Sequence, residues 1–227
     1  MIKIGYGVAD FETMVQRGFY YVDRTDHIEL LENVSSQYLA FLRPRRFGKS
    51  MWISVLQYYY GIQYKEKFDF LFGNYHVGKK PTPEANSYLI LRFNFSGIGT
   101  ETDEQLIQSF LLAVCGAVGN FMNNYPAYFN DEKRKTILQN KMPHDVMREF
   151  FDHLNGIDRK VYLLIDEYDH FANELIALRL DTFKKLVTQN GWVRKFYEAL
   201  KNGANDGVIG RMFITGVSPI MLDSLTS

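Results

Sequence analysis

The sequence predicts an α/β protein built on a mainly parallel sheet whose strands alternate with helices. Four short runs rich in aliphatic, β-branched and aromatic residues are separated by longer segments in which apolar residues recur at helical spacing. Two of these runs end in clusters of charged residues, which is typical of strands whose carboxyl ends form a site. A chain of 227 residues that is 46% hydrophobic can bury a large core. We therefore expect one domain over residues 1–227.

Charge and cysteine content narrow the class of protein. Lys plus Arg and Asp plus Glu both number 26, so no net positive field attracts nucleic acid or an anionic membrane, and any such binding must be local. The single cysteine, Cys115, excludes an internal disulfide and is expected to pack within a helix. The sequence shows no leader and no apolar run near the length of a membrane span. We expect a soluble, cytoplasmic protein that contacts no membrane.

Residues 1–37 lead into the first strand of the predicted sheet. Residues 18–22 are β-prone, and Asp26 with Glu29 has the spacing of a capping box at the start of a helix. We expect this region to be scaffold. The alternative is that it forms one wall of a pocket beside the loop that follows it.

A predicted strand over residues 38–42 runs into a basic loop that ends in Gly48, Lys49 and Ser50, where a helix should begin. The first N–H groups of that helix have no intrahelical partner, and the positive end of its dipole faces the loop, so the geometry suits a phosphate. The lysine adds a positive charge for the outer phosphates, and the serine hydroxyl can ligate Mg²⁺. The glycine lets the backbone approach the phosphate closely.

This loop matches the Gly-x-x-x-x-Gly-Lys-Ser/Thr pattern only in its second half. Arg43 stands in place of the first glycine, and Pro44 has no N–H to donate, so the early part of the loop cannot wrap a phosphate. Residues 46–50 keep their N–H groups. Four cationic side chains lie within this one loop: Arg43, Arg45, Arg46 and Lys49. The alternative is a solvated basic turn before an ordinary helix.

The middle of the chain supplies the helices and one further strand. The apolar spacing predicts a helix over residues 50–60, then a connection over 62–86 that is partly helical, then a strand over 87–95. Thr102 with Gln105 forms a capping box before a long amphipathic helix. Residues 123–160 are polar and mostly helical.

A second informative stretch begins at Val161, where a buried strand ends in Asp166 and Glu167. In a nucleotide enzyme Asp166 would hold Mg²⁺, directly or through water, and Glu167 would polarise the attacking water. One alternative is a helix N-terminus, where the dipole favours acidic residues. Another is metal binding for phosphodiester cleavage with Asp169 as a third carboxylate, although the chain shows no matching lysine motif and no basic groove.

The last predicted strand covers residues 210–216 and follows a helical stretch over 180–202. Thr215, at the end of this strand, could orient the water or touch the γ-phosphate. The alternative is a plain hydroxyl at a strand end. His170 is the histidine that stands nearest to the proposed site in the sequence, and the five histidines show no zinc-binding spacing.

Three motifs resemble one known family. Arg-Pro-Arg-Arg-Phe-Gly-Lys-Ser at 43–50, Asp-Glu-Tyr-Asp at 166–169 and Thr-Gly-Val-Ser-Pro at 215–219, with Tyr-Val-Asp-Arg-Thr at 21–25 upstream, resemble the predicted AAA-ATPase-like family of bacterial proteins. The resemblance covers nearly the whole chain, and the missing first glycine is a habit of that family. It implies a three-layer P-loop NTPase fold of the additional-strand type with a mainly parallel central sheet.

The resemblance also implies roles for named residues, with ATP and Mg²⁺ as cofactors. Residues 43–50 would be Walker A, residues 163–167 Walker B, and Thr215 the sensor. The implied catalytic residues are Glu167, Lys49 and Thr215. The implied cofactor-binding residues are Arg45, Arg46, Phe47, Gly48, Lys49, Ser50 and Met51, and the implied metal ligands are Ser50 and Asp166.

The chain end and the partners follow from the same resemblance. Residues 217–227 are too few for a C-terminal strand and lid, so we expect the N-terminal part of the domain, followed in the whole protein by a nuclease-like domain. An arginine finger would come from a missing segment, from another subunit of a homo-oligomer, or from the basic loop itself. Three functions stay open. The chain is an ATP-hydrolysing domain, which the sequence favours, a non-catalytic nucleotide-binding switch or interaction module, or a nucleic-acid-binding fragment that uses residues 43–49.

Overall fold

A parallel four-stranded sheet forms the centre of the computed structural model, which describes residues 2–188 and 191–220. The strands are β1 (Tyr38–Leu42), β2 (Leu89–Asn94), β3 (Val161–Asp166) and β4 (Ile209–Gly216). Their order is β1-β4-β3-β2, and each neighbouring pair is parallel. The predicted α/β class, the parallel sheet and the four strands predicted from residue 38 onward are confirmed. β4, the last strand in the described chain, lies between β1 and β3.

Helices connect the strands. They are α1 (Phe11–Gln16), α2 (His27–Asn33), α3 (Lys49–Tyr60), α4 (Phe68–Phe72), α5 (His76–Lys79), α6 (Asp103–Asn124), α7 (Asp131–Leu138), α8 (Pro143–Leu154), α9 (His170–Leu178), α10 (Leu180–Val187) and α11 (Trp192–Asn205). Short 3-10 helices cover Ile62–Lys67 and Pro126–Tyr128. The predicted helices over 50–60 and after Thr102, and the partly helical connection over 62–86, are therefore confirmed.

Alternating side chains of the strands place helices on both faces of the sheet. Leu91, Leu163 and Ile214 belong to the core that includes the buried residues of α6, α8, α9 and α11. Ile90, Leu164 and Phe213 belong to a second core, formed mainly by α3 with the segments before it and directly after it. A strand with both faces covered is buried along its length, as the whole of β3 is. The protein thus has three layers, with the sheet in the middle.

The long helix α6 shows how an apolar helix is used in this core. Thr102 caps it by accepting a hydrogen bond from the backbone N–H of Gln105 at 3.1 Å, as the spacing predicted. By length and composition α6 is apolar enough to cross a membrane, with a hydropathy of 1.4, which the sequence analysis did not anticipate. Phe110, Val114 and Val118 are nevertheless buried in the core. A core helix passes the same test, so this finding is weak evidence for a membrane span.

Cys115 lies on α6 and packs partly against the same core, as expected for a packing residue. Burial raises the pKa of its thiol, which disfavours the reactive thiolate.

Two local features before β1 differ from what the sequence suggests. The β-prone residues 18–22 form no strand, because Tyr21 packs its ring against those of Phe11 and Tyr75 and the segment stays outside the sheet. The capping box at Asp26 does not form either. Asp26 has helical backbone angles, and its carboxylate contacts the Nδ1 atom of His27 at 2.9 Å instead of a backbone N–H group. Residues 217–227 were expected to be too few for a C-terminal strand and lid. Of these, residues 221–227 lie outside the described residues.

Candidate functional site

The carboxyl ends of β1, β4 and β3 bring the three sequence motifs to one edge of the sheet. Phe41 of β1 pairs with Thr215 of β4, and Ile214 of β4 pairs with Ile165 of β3. The basic loop, Thr215 and Asp166 therefore follow one another across three neighbouring strands. Ligands of open parallel sheets bind at this edge.

The basic loop is a tight turn that ends at the N-terminus of α3. The backbone N–H of Arg43 donates to the carbonyl oxygen of Gly216 at 3.1 Å, which fixes the start of the loop to β4. Arg46 and Gly48 have φ angles of 70° and 74°, in the left-handed region. Gly48 caps α3 without a side-chain hydrogen bond. The first N–H groups of this 12-residue helix are therefore left available to an anion.

Lys49 is folded into this loop and is only 6% exposed. Its Nζ donates to the carbonyl oxygens of Arg43 and Pro44, at 2.8 and 3.0 Å. A buried ammonium group needs such partners, because burial without hydrogen bonds is costly. Arg43 and Pro44, which depart from the glycine pattern, thus contribute their carbonyl oxygens to Lys49. Any residue type, including proline, can supply such an oxygen.

The other implied phosphate-binding side chains point outward. Arg45, Arg46 and Phe47 are exposed, and Phe47 is 64% exposed. The guanidinium carbon of Arg43 lies 5.1 Å from the ring centroid of Phe41. The ion pairs among the described residues include none of these three arginines. Their positive charge is therefore not neutralised by the described carboxylates.

Asp166 is fully buried at the end of β3, and one of its two carboxylate oxygens has a hydrogen-bond partner. Its Oδ1 accepts a hydrogen bond from the hydroxyl of Thr215 at 2.6 Å. Its Oδ2 is buried and has no hydrogen-bond partner among the described residues. Buried carboxylate oxygens are almost always paired, so this atom marks a place where a water or a cation belongs. Within the described chain no three His, Cys, Asp or Glu residues form a metal-binding group.

Glu167 has a backbone conformation that is rare for its residue type. Its φ angle is 53°, in the left-handed region, and its N–H donates to the hydroxyl oxygen of Thr215 at 3.4 Å. Its side chain is 36% exposed, and its carboxylate lies 4.0 Å from His170. His170 also lies 3.4 Å from the carboxylate of Glu174, so it is near the site, as the sequence indicated.

Thr215 connects the two acidic residues. Its hydroxyl proton goes to Asp166, its hydroxyl oxygen accepts from Glu167, and its carbonyl oxygen accepts from the N–H of Tyr168 at 3.0 Å. The side chain is fully buried. In this arrangement Thr215 supports Asp166 and Glu167.

Asp169 joins the turn after β3 to the chain after β4, a role that the sequence did not indicate. It is 2% exposed, and its carboxylate accepts hydrogen bonds from Asn173 and from the N–H groups of Val217 and Ser218. Because these donors occupy the carboxylate, the alternative in which Asp169 is a third metal-binding carboxylate is not supported. The spacing of Asp169 and Asn173 by four residues was the available local signal, whereas Ser218 lies 49 residues away in the chain.

Gly216 lets these segments meet. A Cβ atom at this position would lie 2.4 Å from a ring carbon of Tyr168 and 2.6 Å from the carboxylate of Asp169. Only glycine fits there without displacing its neighbours. Two clefts of about 300 and 280 Å³ lie elsewhere, between α8 and α11 and beside β2.

Comparison with known proteins gives one result. Neither the curated proteins nor the solved structures show a significant match to this chain. A family model described as "Predicted AAA-ATPase" matches residues 5–226. That range includes the basic loop, Asp166, Glu167 and Thr215, and it agrees with the resemblance found in the sequence motifs. This chain therefore belongs to the AAA-ATPase-like family of predicted AAA-ATPases.

Proposed function

We propose that this chain binds ATP with Mg²⁺ at the carboxyl edge of its sheet and hydrolyses the ATP. The observation that carries the proposal is the unpartnered, buried Oδ2 of Asp166. It lies one strand away from a loop that offers backbone N–H groups and a lysine to an anion. A magnesium ion held between that loop and Asp166 would give the oxygen its partner.

The strand order supports a P-loop NTPase of the additional-strand type. β4 is inserted between the strand that leads to the basic loop and the strand that ends in Asp166. The inserted strand separates the two motif strands by roughly 10 Å, twice the usual spacing of neighbouring strands. A nucleotide's outer phosphates together with a metal ion can bridge such a gap.

The loop residues would hold the phosphates. N–H groups at the start of α3, from Lys49, Ser50 and Met51, point toward an anion at the helix N-terminus. Lys49 would exchange its two carbonyl contacts for phosphate oxygens as the ligand enters. Arg45 and Arg46 would add charge at the rim, where they remain exposed to solvent.

Ser50 and Asp166 are the residues that fit a magnesium ion. Both supply oxygen, the ligand type that Mg²⁺ prefers, and the ion usually completes its shell with waters and phosphate oxygens instead of further carboxylates. This agrees with the described residues, in which no three His, Cys, Asp or Glu side chains form a metal-binding group. When bound, the ion would neutralise negative charge on the β- and γ-phosphates.

Glu167 would act as the general base. Its carboxylate would accept a proton from a water whose oxygen attacks the γ-phosphorus, while the bond from that phosphorus to the β-phosphate oxygen breaks. The products would be ADP and phosphate. The left-handed backbone of Glu167 and its partly exposed side chain support a role that packing alone does not require.

Calorimetry of ATP binding with and without Mg²⁺ tests the proposal, with phosphate release followed on the same samples. We expect Lys49→Ala to abolish binding, whereas Lys65→Ala, which removes an exposed lysine outside the site, should leave it unchanged. Equal binding by the wild type and Lys49→Ala would contradict the nucleotide site. Binding without turnover would identify the non-catalytic nucleotide switch.

The exposed arginines support a second candidate, local binding of nucleic acid through residues 43–49. Arg43, Arg45 and Arg46 make no ion pair with the described carboxylates. Phosphate contacts of this kind release counterions, so the affinity for a single-stranded oligonucleotide should fall steeply with salt. Loss of that affinity in the Arg45→Ala, Arg46→Ala double variant, with ATP binding absent, would favour this candidate.

A further inference from the structure

Asp169 carries a buried carboxylate for which the proposed chemistry has no use. It lies just before α9, and the described residues offer it no cation within ion-pair distance. Its partners are the N–H of Val217 at 3.0 Å, the N–H and hydroxyl of Ser218 at 2.6 and 2.8 Å, and the side-chain amide of Asn173 at 3.0 Å. Because a buried charge is stable only when such donors surround it, the position of this carboxylate is tightly specified.

These hydrogen bonds join two segments that both belong to the candidate site. One is the turn after β3, which carries Glu167, and the other is the chain directly after β4, the strand that ends in Thr215 and Gly216. Tyr168 reinforces the junction, because its N–H donates to the carbonyl of Thr215 and its hydroxyl donates to the carbonyl of Ser218 at 2.6 Å. We refer to Asp169, Asn173 and residues 217–218 as the Asp169 network.

The last residue of β4, directly before this segment, contacts the basic loop. Gly216 accepts a hydrogen bond from the N–H of Arg43, while its Cα faces Tyr168 and Asp169 so closely that a Cβ would not fit. One short segment therefore supports both the loop that would hold the phosphates and the turn that carries the proposed base. A shift of this segment would move Glu167 relative to the phosphates.

From this geometry we infer that Asp169 is a positioning residue for hydrolysis, which holds Glu167 and Thr215 in register without contacting nucleotide. The inference rests on the proposed function. It assigns Asp169 and its partner Ser218 an effect on turnover, and no direct part in ATP affinity. Displacements of about 1 Å at a catalytic group can lower a rate by a hundredfold.

Asp169→Asn is the main test, because it keeps the size of the side chain and removes its charge. The donors of Asn173, Val217 and Ser218 converge on Oδ2, and the N–H of Val217 also contacts Oδ1 at 3.2 Å. An amide weakens the bonds to Oδ2 by removing the charge, and its NH2 group at the Oδ1 position would face the N–H of Val217 with a donor of its own. We expect turnover to fall by about tenfold to a hundredfold, with the dissociation constant for ATP unchanged within about twofold. Amide hydrogen exchange at Tyr168, Val217 and Ser218 should become faster in the absence of nucleotide.

Asp10→Asn is the matched control. Asp10 also accepts hydrogen bonds from several groups, namely the N–H and hydroxyl of Thr13 and the hydroxyls of Ser54 and Tyr58, but it caps α1, and these partners belong neither to the basic loop nor to the Asp169 network. This variant should lose stability while its turnover per folded molecule stays that of the wild type. Ser218→Ala removes a single donor and should give a smaller loss of turnover than Asp169→Asn, in a protein that folds.

The outcomes separate this inference from the proposed function. A wild type that neither binds nor hydrolyses ATP overturns the proposed function and, with it, the catalytic meaning of Asp169. An active wild type whose Asp169→Asn and Ser218→Ala variants turn over at the wild-type rate overturns the positioning role alone. The same holds if Asp169→Asn only raises the dissociation constant for ATP, because that result would make Asp169 a binding residue.

Discussion

The two ends of the sheet both hold charged side chains that are partly or fully buried, but they satisfy them differently. At the amino end, Arg211 of β4 donates two hydrogen bonds to the carboxylate of Glu84, both at 2.7 Å, and Tyr88 donates to the same group. Nearby, Glu32 accepts from the hydroxyls of Tyr60 and Thr82. At the carboxyl end, Asp166 keeps a buried oxygen without a partner, and Glu167 has a left-handed backbone.

This difference separates a structural polar cluster from a candidate site. Satisfied groups at the amino end contribute to stability and hold the segments before β2 and β4 together. Groups left incomplete at the carboxyl end cost stability, and the proposed ligand would give them partners. We expect substitutions at the two ends to affect different measurements.

The largest expected effect is on turnover, at the carboxyl end. Glu167→Gln should lower the rate of phosphate release by about a hundredfold to ten-thousandfold, because the amide cannot accept the proton of the attacking water. ATP affinity should be retained. Single-turnover phosphate release and calorimetry measure the two quantities.

Glu174→Gln provides the control for that substitution. Glu174 lies on α9, contacts His170 and accepts a hydrogen bond from the hydroxyl of Thr100. It is therefore near the site but has no part in the proposed reaction. Its turnover should stay within about twofold of the wild type. A similar loss in both variants would mean that the acidic cluster as a whole, and not Glu167, governs the rate.

The next effect is on stability, at the amino end. Arg211→Ala should lower the free energy of unfolding by about 2–4 kcal/mol, because it leaves the carboxylate of Glu84 without its main partner. ATP affinity of the folded fraction should not change. Urea denaturation measures the loss, and Arg211→Lys, which keeps the charge without the two-pronged geometry, should lose less. Reduced ATP affinity in Arg211→Ala would contradict the separation of the two ends.

A smaller effect of opposite sign is expected for Asp166→Asn. Without nucleotide, the amide oxygen can still accept from Thr215, and the substitution removes a buried charge that has an unpartnered oxygen. The free energy of unfolding should rise by about 1 kcal/mol. Asp169→Asn is the matched comparison and should be destabilised, because its carboxylate has its donors. Equal destabilisation of both variants would show that Asp166 is satisfied in solution.

The parallel sheet and the placement of the motifs could be predicted because they depend on local signals. Apolar runs, helical spacing and the Gly-Lys-Ser sequence each lie within a few residues, and parallel strands align their carboxyl ends. Loop residues 43–50 and Asp166 therefore lie at the same edge of the sheet, with β4 between their strands. The role of Lys49 as a donor to Arg43 and Pro44 was not foreseen, because the motif describes ligand contacts and not contacts within the loop itself.

The remaining features depend on contacts between distant parts of the chain. Arg211 and Glu84 are 127 residues apart, and Asp169 and Ser218 are 49 apart, so no local pattern relates them. The β-prone residues 18–22 form no strand because β propensity reports a fit to a pleated, half-buried surface, and Tyr21 finds aromatic partners outside the sheet.

The smallest expected effect concerns pH at the amino end. Burial is the main cause that raises the pKa of Glu32 above its ordinary value of 4.5, and the nearby Glu84 adds to it, whereas Thr82, Tyr60 and Arg211 act in the opposite direction. A carboxyl group whose pKa is raised in the folded state favours folding at low pH. That contribution is lost as the pH rises through the folded pKa.

Glu32→Gln removes this dependence, because the amide oxygen can accept from Tyr60 and Thr82 at every pH. The variant and the wild type should be equally stable at pH 4, where the protonated carboxyl resembles the amide, and the variant should become the more stable protein between pH 4.5 and 7. Urea denaturation of both proteins across that range measures the difference. Since other carboxylates titrate equally in both proteins, the difference isolates Glu32. A variant that is less stable than the wild type at pH 7 would show that ionised Glu32 stabilises the amino end, and would contradict the pH dependence expected from its burial.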